Sequence, residues 1–310
     1  MKILMLGAGV IGSVYSARLL HVGHDITVLA RGERLIELTE HGLTVENAET
    51  GERDELAVRA IGATDPGERY DLVWIVVQAP QLDSVLPLVQ VISGEHDVLF
   101  FGNTAGRTRE LADALGDRCL FGFPGVGGVL DGHVVRYVLI RQQKTTLGEP
   151  TGRPSERMRS LEALLIQAGF PTAISRDIEG WLLGHAAFVV PIAFALQRVD
   201  ADPARLAADR GLLRQMVRAT RQAFGALTAT GAAEIPGNLR MLYRLPTAFA
   251  AGYWRRVLAS PNGELWFGHT SAAPQEMDDM ASALKRAVRN TGRSTPDLDA
   301  LLEPLRRSGM

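Results

Sequence analysis

The sequence predicts an α/β fold in two parts: an N-terminal domain on a parallel sheet, residues 1–170, and an all-helical C-terminal domain, residues 171–310. Three observations carry this. Lys2–Leu6 is a short apolar run that enters Gly7-Ala8-Gly9-Val10-Ile11-Gly12, and helical spacing follows from Ser13 to Leu20. Asp71–Val77 and Asp97–Phe101 are continuous rather than alternating apolar runs, as in parallel strands buried on both faces. Beyond about residue 170 the periods are helical, with few strand signals.

The first stretch reads as strand, turn and helix, and its G-x-G-x-x-G spacing marks the first domain as a Rossmann-type dinucleotide-binding domain. Gly7 permits the tight turn, Gly9 lets backbone approach a pyrophosphate, and Gly12 lets the helix pack closely. Ala8, Val10 and Ile11 complete the cradle, whose phosphates would meet unpaired helix N–H groups. The second strand, His24–Leu29, ends in Ala30-Arg31-Gly32, where an NAD site would place a carboxylate for the ribose 2′-OH. Arg31 suits a 2′-phosphate instead, so NADP(H) is the expected cofactor, although Glu33 follows closely and a solvated loop arginine is the competing reading.

Gly42–Ala60 alternates around a polar tip and predicts a peripheral hairpin. The runs at 71–77 and 97–101 end beside Gln78 and Asn103, and ligands gather at the carboxyl ends of such strands. Each is either a site residue or a satisfied loop amide. Thr104–Leu115 predicts a helix, Val126–Ile140 a hairpin turning at Asp131-Gly132, and Ser155–Ala168 the helix that closes the domain. Trp181–Leu196 is apolar on every side, which predicts a buried helix kinked at Pro191, part of it covered in a homodimer. Its interruptions at Gly184, His185 and Pro191 argue against a membrane span. Helices follow over Pro203–Thr230, Leu239–Leu258 and Gln275–Arg289, with a short one from Pro296.

Composition bounds the partners. The chain is 46% hydrophobic and 22% charged with a formal net charge of −2, ordinary for a soluble protein and without a basic footprint for nucleic acid. Small-molecule partners are expected. Cys119 is the single cysteine, so no disulfide forms within the chain, and the absence of a signal-peptide pattern at the start predicts a cytoplasmic protein.

The Gly7–Gly12 turn, Arg31, Gln81, Asn103 in Asn-Thr-Ala-Gly, Asp131-Gly132-His-Val-Val before Leu147-Gly148, Glu179-Gly-Trp181, Glu276-Met-Asp-Asp-Met, Gly292 and Pro296 together resemble ketopantoate reductase (2-dehydropantoate 2-reductase). The resemblance implies a Rossmann domain followed by helices, with NADPH and a 2-oxo acid bound in the cleft between them. It implies roles for Asn103 and Glu276, which match residue for residue, and for Gly128 as the small residue over the nicotinamide. It also brings departures. The family's catalytic lysine on the central helix falls on Leu183, its substrate-binding asparagines on Ala187 and Pro191, its lysine near the cofactor on Gln78, and its substrate serine on Glu264.

No other lysine is placed to substitute: the chain has only Lys2, Lys144 and Lys285, and Lys285 lies about 180° around an ideal helix from Glu276. His185 is the one ionisable group inside the apolar helix and has a pKa suited to acid catalysis, yet it lies about 200° from Leu183 on the helix. A hydrogen-bonded core histidine is the competing reading. Glu276 is either a ligand contact or a solvated residue near a helix N-terminus. Two function classes follow: an NADP-dependent oxidoreductase acting on a 2-oxo acid or related carbonyl, with ketopantoate itself doubtful, or a catalytically impaired NADP(H)-binding sensor or partner protein on the same fold.

Overall fold

The computed structural model describes residues 1–92, 94–260 and 274–303. The chain divides into two compact units, Met1–Ile178 and Glu179–Met310.

The first unit is built on an eight-stranded sheet. Its strands are β1 (Lys2–Leu6), β2 (Asp25–Leu29), β5 (Arg59–Ile61), β6 (Leu72–Ile75), β7 (Asp97–Phe101), β8 (Cys119–Phe123), β11 (Thr145–Gly148) and β12 (Thr172–Ser175), in the order β12-β11-β8-β7-β6-β1-β2-β5. The six from β5 to β8 run parallel, and β11 pairs antiparallel with β8. Every residue of Leu72–Ile75 is buried, as its unbroken apolar run requires. Between β1 and β6 the order reverses, and this opens the crevice in which sheets of this kind hold ligands.

Helices α1 (Val10–His21), α2 (Gly32–His41), α3 (Leu82–Val91), α4 (Thr108–Leu115) and α5 (Glu156–Gln167) connect the strands. Tyr15 ties α1 into the core: its ring stacks on Phe170 at 4.0 Å, meets Phe101 edge-on, and its hydroxyl is 2.5 Å from Thr145 Oγ1. Burial pushes the Cys119 thiol up to about 12, so it is an inert core thiol.

Two expectations are corrected here. The segment after Gly42 is not peripheral. Its strands β3 (Leu43–Asn47) and β4 (Arg53–Leu56) join β9 (Val126–Asp131) and β10 (Val134–Leu139) in a second sheet, ordered β4-β3-β10-β9, whose inward Leu43, Val45, Val126, Val135 and Tyr137 belong to the main core. Strand β3 reaches it by pairing parallel with β10, Thr44 opposite Val134. The division of the chain falls after Ile178 rather than near residue 170, because β12 still pairs with β11.

At the opposite end of the strands from the crevice, Glu68 accepts hydrogen bonds from Arg59 and Tyr70, and Lys2 Nζ lies 2.7 Å from it. Arg59 first, then Lys2 and Tyr70, hold this carboxyl down at about 2. A depressed carboxylate pKa contributes stability above its ordinary value and loses it as pH falls through the folded value. Glu68→Gln is therefore expected to lower urea-unfolding stability at neutral pH, and the difference from the parent to close as the pH falls towards about 2.

Among the described residues, the regular elements of the second unit are all helices: α6 (Ile178–Gln197), α7 (Pro203–Ala208), α8 (Arg210–Ala229), α9 (Gly237–Arg244), α10 (Thr247–Leu258), α11 (Pro274–Asn290) and α12 (Pro296–Leu301). The span from Pro203 to Thr230 is two helices, because Asp209 leaves helical geometry and its carboxylate accepts from the N–H groups of Gly211 and Leu212, capping α8. The span to Leu258 also breaks, at Leu245-Pro246, where proline disfavours a helical residue before it. Helix α6 continues through Pro191. By length and composition it could cross a membrane, but 72% of its apolar window is buried inside the protein, as in a core helix. Glu234 N–H donates to Gly180 O at 2.9 Å, and a Cβ on Gly184 would lie 2.4 Å from Glu234 O, so the two glycines admit a crossing segment at backbone distance.

Candidate functional site

The crevice begins at the turn after β1. Gly7 holds φ +115°, and a Cβ there would sit 2.2 Å from Val76 O at the end of β6. A Cβ on Gly12 would sit 2.0 Å from Gly7 O, so α1 can lie against the turn only without a side chain at that position. Gly9 differs: nothing lies within 4 Å of its Cβ position. It is the N-cap of α1, and the first i→i−4 bond runs from Ser13 N–H to Gly9 O at 2.9 Å.

The N–H groups of Val10, Ile11 and Gly12 therefore precede the helical ladder, no side chain caps them, and no acidic residue occupies the first turn. Such an open N-terminus suits an anion. This arrangement fits the pyrophosphate of a dinucleotide; Ala8 in the turn is buried, and Val10 and Ile11 are half-buried.

Arg31 is the N-cap residue of α2; it is exposed and makes no hydrogen bond or ion pair with any described residue. Arg34, one turn further along, is a residue that the sequence reading did not single out. Its side chain is 13% exposed, and its Nε donates to Ala8 O at 2.9 Å, Nη2 to Ser13 Oγ at 3.1 Å, and Nη1 to Glu37 at 2.9 Å and His133 O at 3.3 Å. Ser13 Oγ also donates to Ala8 O, at 3.1 Å.

At the ends of β6 and β7 lie the other candidates. Gln78 is exposed and begins a 3-10 turn, its N–H directed at Gln81 Oε1 at 3.2 Å. Asn103 is half-buried, and its amide makes no hydrogen bond to a described residue. Beside it Thr104 is 3% exposed, and its Oγ1 finds no hydrogen-bond partner among the described residues. A buried hydroxyl without a partner at the carboxyl end of a central strand fits a ligand that completes it. Sequence pattern gives no signal for this, because threonine is common in such turns. Gly128 lies in β9, where a Cβ would meet Arg136 O at 2.4 Å and Val10 Cγ1 at 2.9 Å, so packing beside the α1 N-terminus already requires glycine there.

In the second unit, Leu183 is 7% exposed and Ala187 0%, and Pro191 is buried as well. Three positions that the resemblance makes polar are thus core positions here. His185 is half-buried, its ring parallel to Trp181 at 5.7 Å and tilted against Phe188 at 6.5 Å. Glu276, in the first turn of α11, is 8% exposed, which removes the solvated alternative. Lys285 Nζ donates to Leu302 O at 3.0 Å at the C-terminal end of α12, Lys144 is exposed, and Lys2 pairs with Glu68. Glu264 lies outside the described residues.

With this geometry in hand, the similarities to known proteins are specific. Residues 3–152 match the family model of ketopantoate reductase PanE/ApbA. A 2-dehydropantoate 2-reductase of Mesorhizobium japonicum is 28% identical over 345 residues, spanning 99% of this chain and 97% of its own, and one of Pyrococcus horikoshii is 30% identical over 58% of each chain. Among solved structures, a ketopantoate reductase homologue from Ralstonia solanacearum superposes with a TM-score of 0.75 at 22% identity, covering 97% of this chain and 95% of its own. D-mandelate dehydrogenase, solved in a ternary structure with NADH and anilino(oxo)acetate, gives 0.76 at 18% identity, covering 97% and 96%. At these identities the superpositions establish the fold. Together with the glycine turn and the reversal of strand order beside it, these matches make residues 3–152 similar to the ketopantoate reductase PanE/ApbA family, and the superpositions extend the likeness in fold to the helical second unit.

Proposed function

We propose that this protein is an NADPH-dependent reductase of a 2-oxo acid or related carbonyl compound, for which ketopantoate itself is a poor substrate. The observation that carries the reading is the uncapped N-terminus of α1 at Gly9 together with the unpaired, exposed Arg31 at the next strand end. In this reading the backbone from Gly7 to Gly12 holds the pyrophosphate, Arg31 the 2′-phosphate, and Gln78, Asn103 and Gly128 line the nicotinamide end. The bound nicotinamide supplies the hydride. Asn103 and Thr104 offer an amide and a hydroxyl at the strand ends; in the second unit, His185 and Glu276 carry side chains of the kind that serve as general acids, and each is a candidate proton donor. The carbonyl substrate class draws support from the names of the family relatives and from the oxo compound bound to D-mandelate dehydrogenase. The same reading includes a homodimer, supported by the exposed Met241 and Phe249 on α9 and α10 and tested by light scattering at high micromolar concentration.

A second reading, a cofactor-binding protein without catalysis, is favoured by the buried Leu183 and Ala187 and by the engagement of Lys285 at Leu302. NADPH oxidation over a panel of 2-oxo acids separates the two. Cofactor choice is tested directly: NADPH binds more tightly than NADH, and Arg31→Ala weakens NADPH by about 1.5–3 kcal/mol, the range for hydrogen bonds to charged groups, with little effect on NADH. Equal affinities in the parent protein would refute the assignment of NADPH.

A further inference from the structure

We infer that Arg34 is the positioning residue that makes the preference for NADPH possible, by locking the glycine turn and the Arg31 end of α2 into one unit; this rests on the NADPH reading above. The argument starts at the Ala8–Gly9 peptide. Ala8 O accepts from both Arg34 Nε and Ser13 Oγ, which fixes the plane of that peptide. No peptide among the described residues is cis, and in a trans peptide the N–H points opposite to the C=O. Holding Ala8 O on the Arg34 side therefore aims Gly9 N–H to the other side, away from the guanidinium. Around Gly9 the structure leaves the open space noted above.

The other end of the lock is helix α2. Arg31 is its N-cap and Arg34 lies one turn later, so the anchor that grips the turn also fixes the start of the helix that presents Arg31. All three guanidinium nitrogens are engaged: Nη2 on Ser13 of α1, Nη1 on Glu37 of α2 and on His133 O at the β9–β10 turn. Glu37 pairs with the charge of Arg34, whose side chain is largely covered, whereas Arg31 is exposed and has no ion-pair partner among the described residues. Arg34 therefore acts by geometry. A 2′-phosphate and a pyrophosphate hang from one ribose ring, which limits how far apart they can lie, so both are satisfied best when their two protein anchors are held in a matching arrangement.

The test is a fluorescence titration of NADPH and NADH against the parent protein, Arg34→Met and Arg34→Lys. With Arg34→Met, NADH is expected to weaken about threefold and NADPH about thirtyfold, a tenfold fall in preference equal to about 1.4 kcal/mol. Arg34→Lys should fall between Met and the parent, because a single ammonium cannot reproduce the planar fork. Equal weakening of both cofactors would reduce Arg34 to general stability, and loss confined to NADPH would make it a direct phosphate contact; either overturns the inference. If Arg34→Met does not fold, the same comparison on Arg34→Lys decides. A parent protein without preference for NADPH refutes the cofactor reading, whereas a parent preference that persists undiminished in the variants refutes only the role of Arg34.

Discussion

Ketopantoate turnover by the purified protein is expected to fall short of an acid-assisted reaction by a factor of about 10²–10⁴, the usual contribution of a positioned general acid. That is about 3–5.5 kcal/mol of barrier. The cause lies in α6, where Leu183 stands at the position that corresponds to the family lysine and Ala187 and Pro191 at those that correspond to the substrate amides, all three buried. Leu183→Lys is expected to recover little. Burial disfavours the charged ammonium and lowers its pKa, and no polar partner stands at Ala187 to hold it. Steady-state kinetics on ketopantoate measure this, and a parent turnover of order ten per second, about the median for enzymes, would show that the acid resides elsewhere. His185→Ala and Glu276→Gln then identify it.

Gly9→Ala and Gly12→Ala should produce opposite signatures. At Gly12 the added Cβ would sit 2.0 Å from Gly7 O, a backbone atom that cannot swing aside, so α1 and the turn must separate. Overpacking of this kind costs about 1–3 kcal/mol or more of stability, seen as a lowered unfolding midpoint. At Gly9 nothing stands within 4 Å and φ is −71°, so alanine fits the folded chain without strain. Its methyl would instead fill the approach to the α1 N-terminus. Unchanged unfolding with cofactor affinity weakened by at least about tenfold, or 1.4 kcal/mol, is the expected result. Retained affinity in Gly9→Ala would mean that the phosphates do not approach there.

The parts of the site that follow from local chemistry were readable in the sequence. The glycine turn, the continuous apolar strands and Arg31 at the end of β2 each depend on a few consecutive residues, and the structure places them on the neighbouring parallel strands β2, β1, β6 and β7. Arg34 was not readable, because its partners Ala8, Ser13 and His133 come from three different elements. Thr104 became notable only once its burial without a partner was seen. The pairing of β3 with β10 carries no turn signal, since a parallel pair has no connecting hairpin. The break before Pro246 did have a signal, the restriction that proline places on Leu245, and helical periodicity overrode it.

That same β3–β10 pairing sets an order of events during synthesis. Strand β3 and its hairpin partner leave the ribosome with one edge of β3 open, and the strand that closes this edge follows only after about ninety residues, or about 5–20 s at ordinary elongation rates. Over that interval Thr44, Val45 and Glu46 present unpaired backbone groups to any neighbouring chain. The Arg34 anchor waits as well, because His133, 99 residues downstream, must arrive before its last hydrogen bond can form. A nascent chain halted before β10 thus carries the whole G-x-G-x-x-G sequence while the edge of β3 is open and Arg34 lacks its contact with His133.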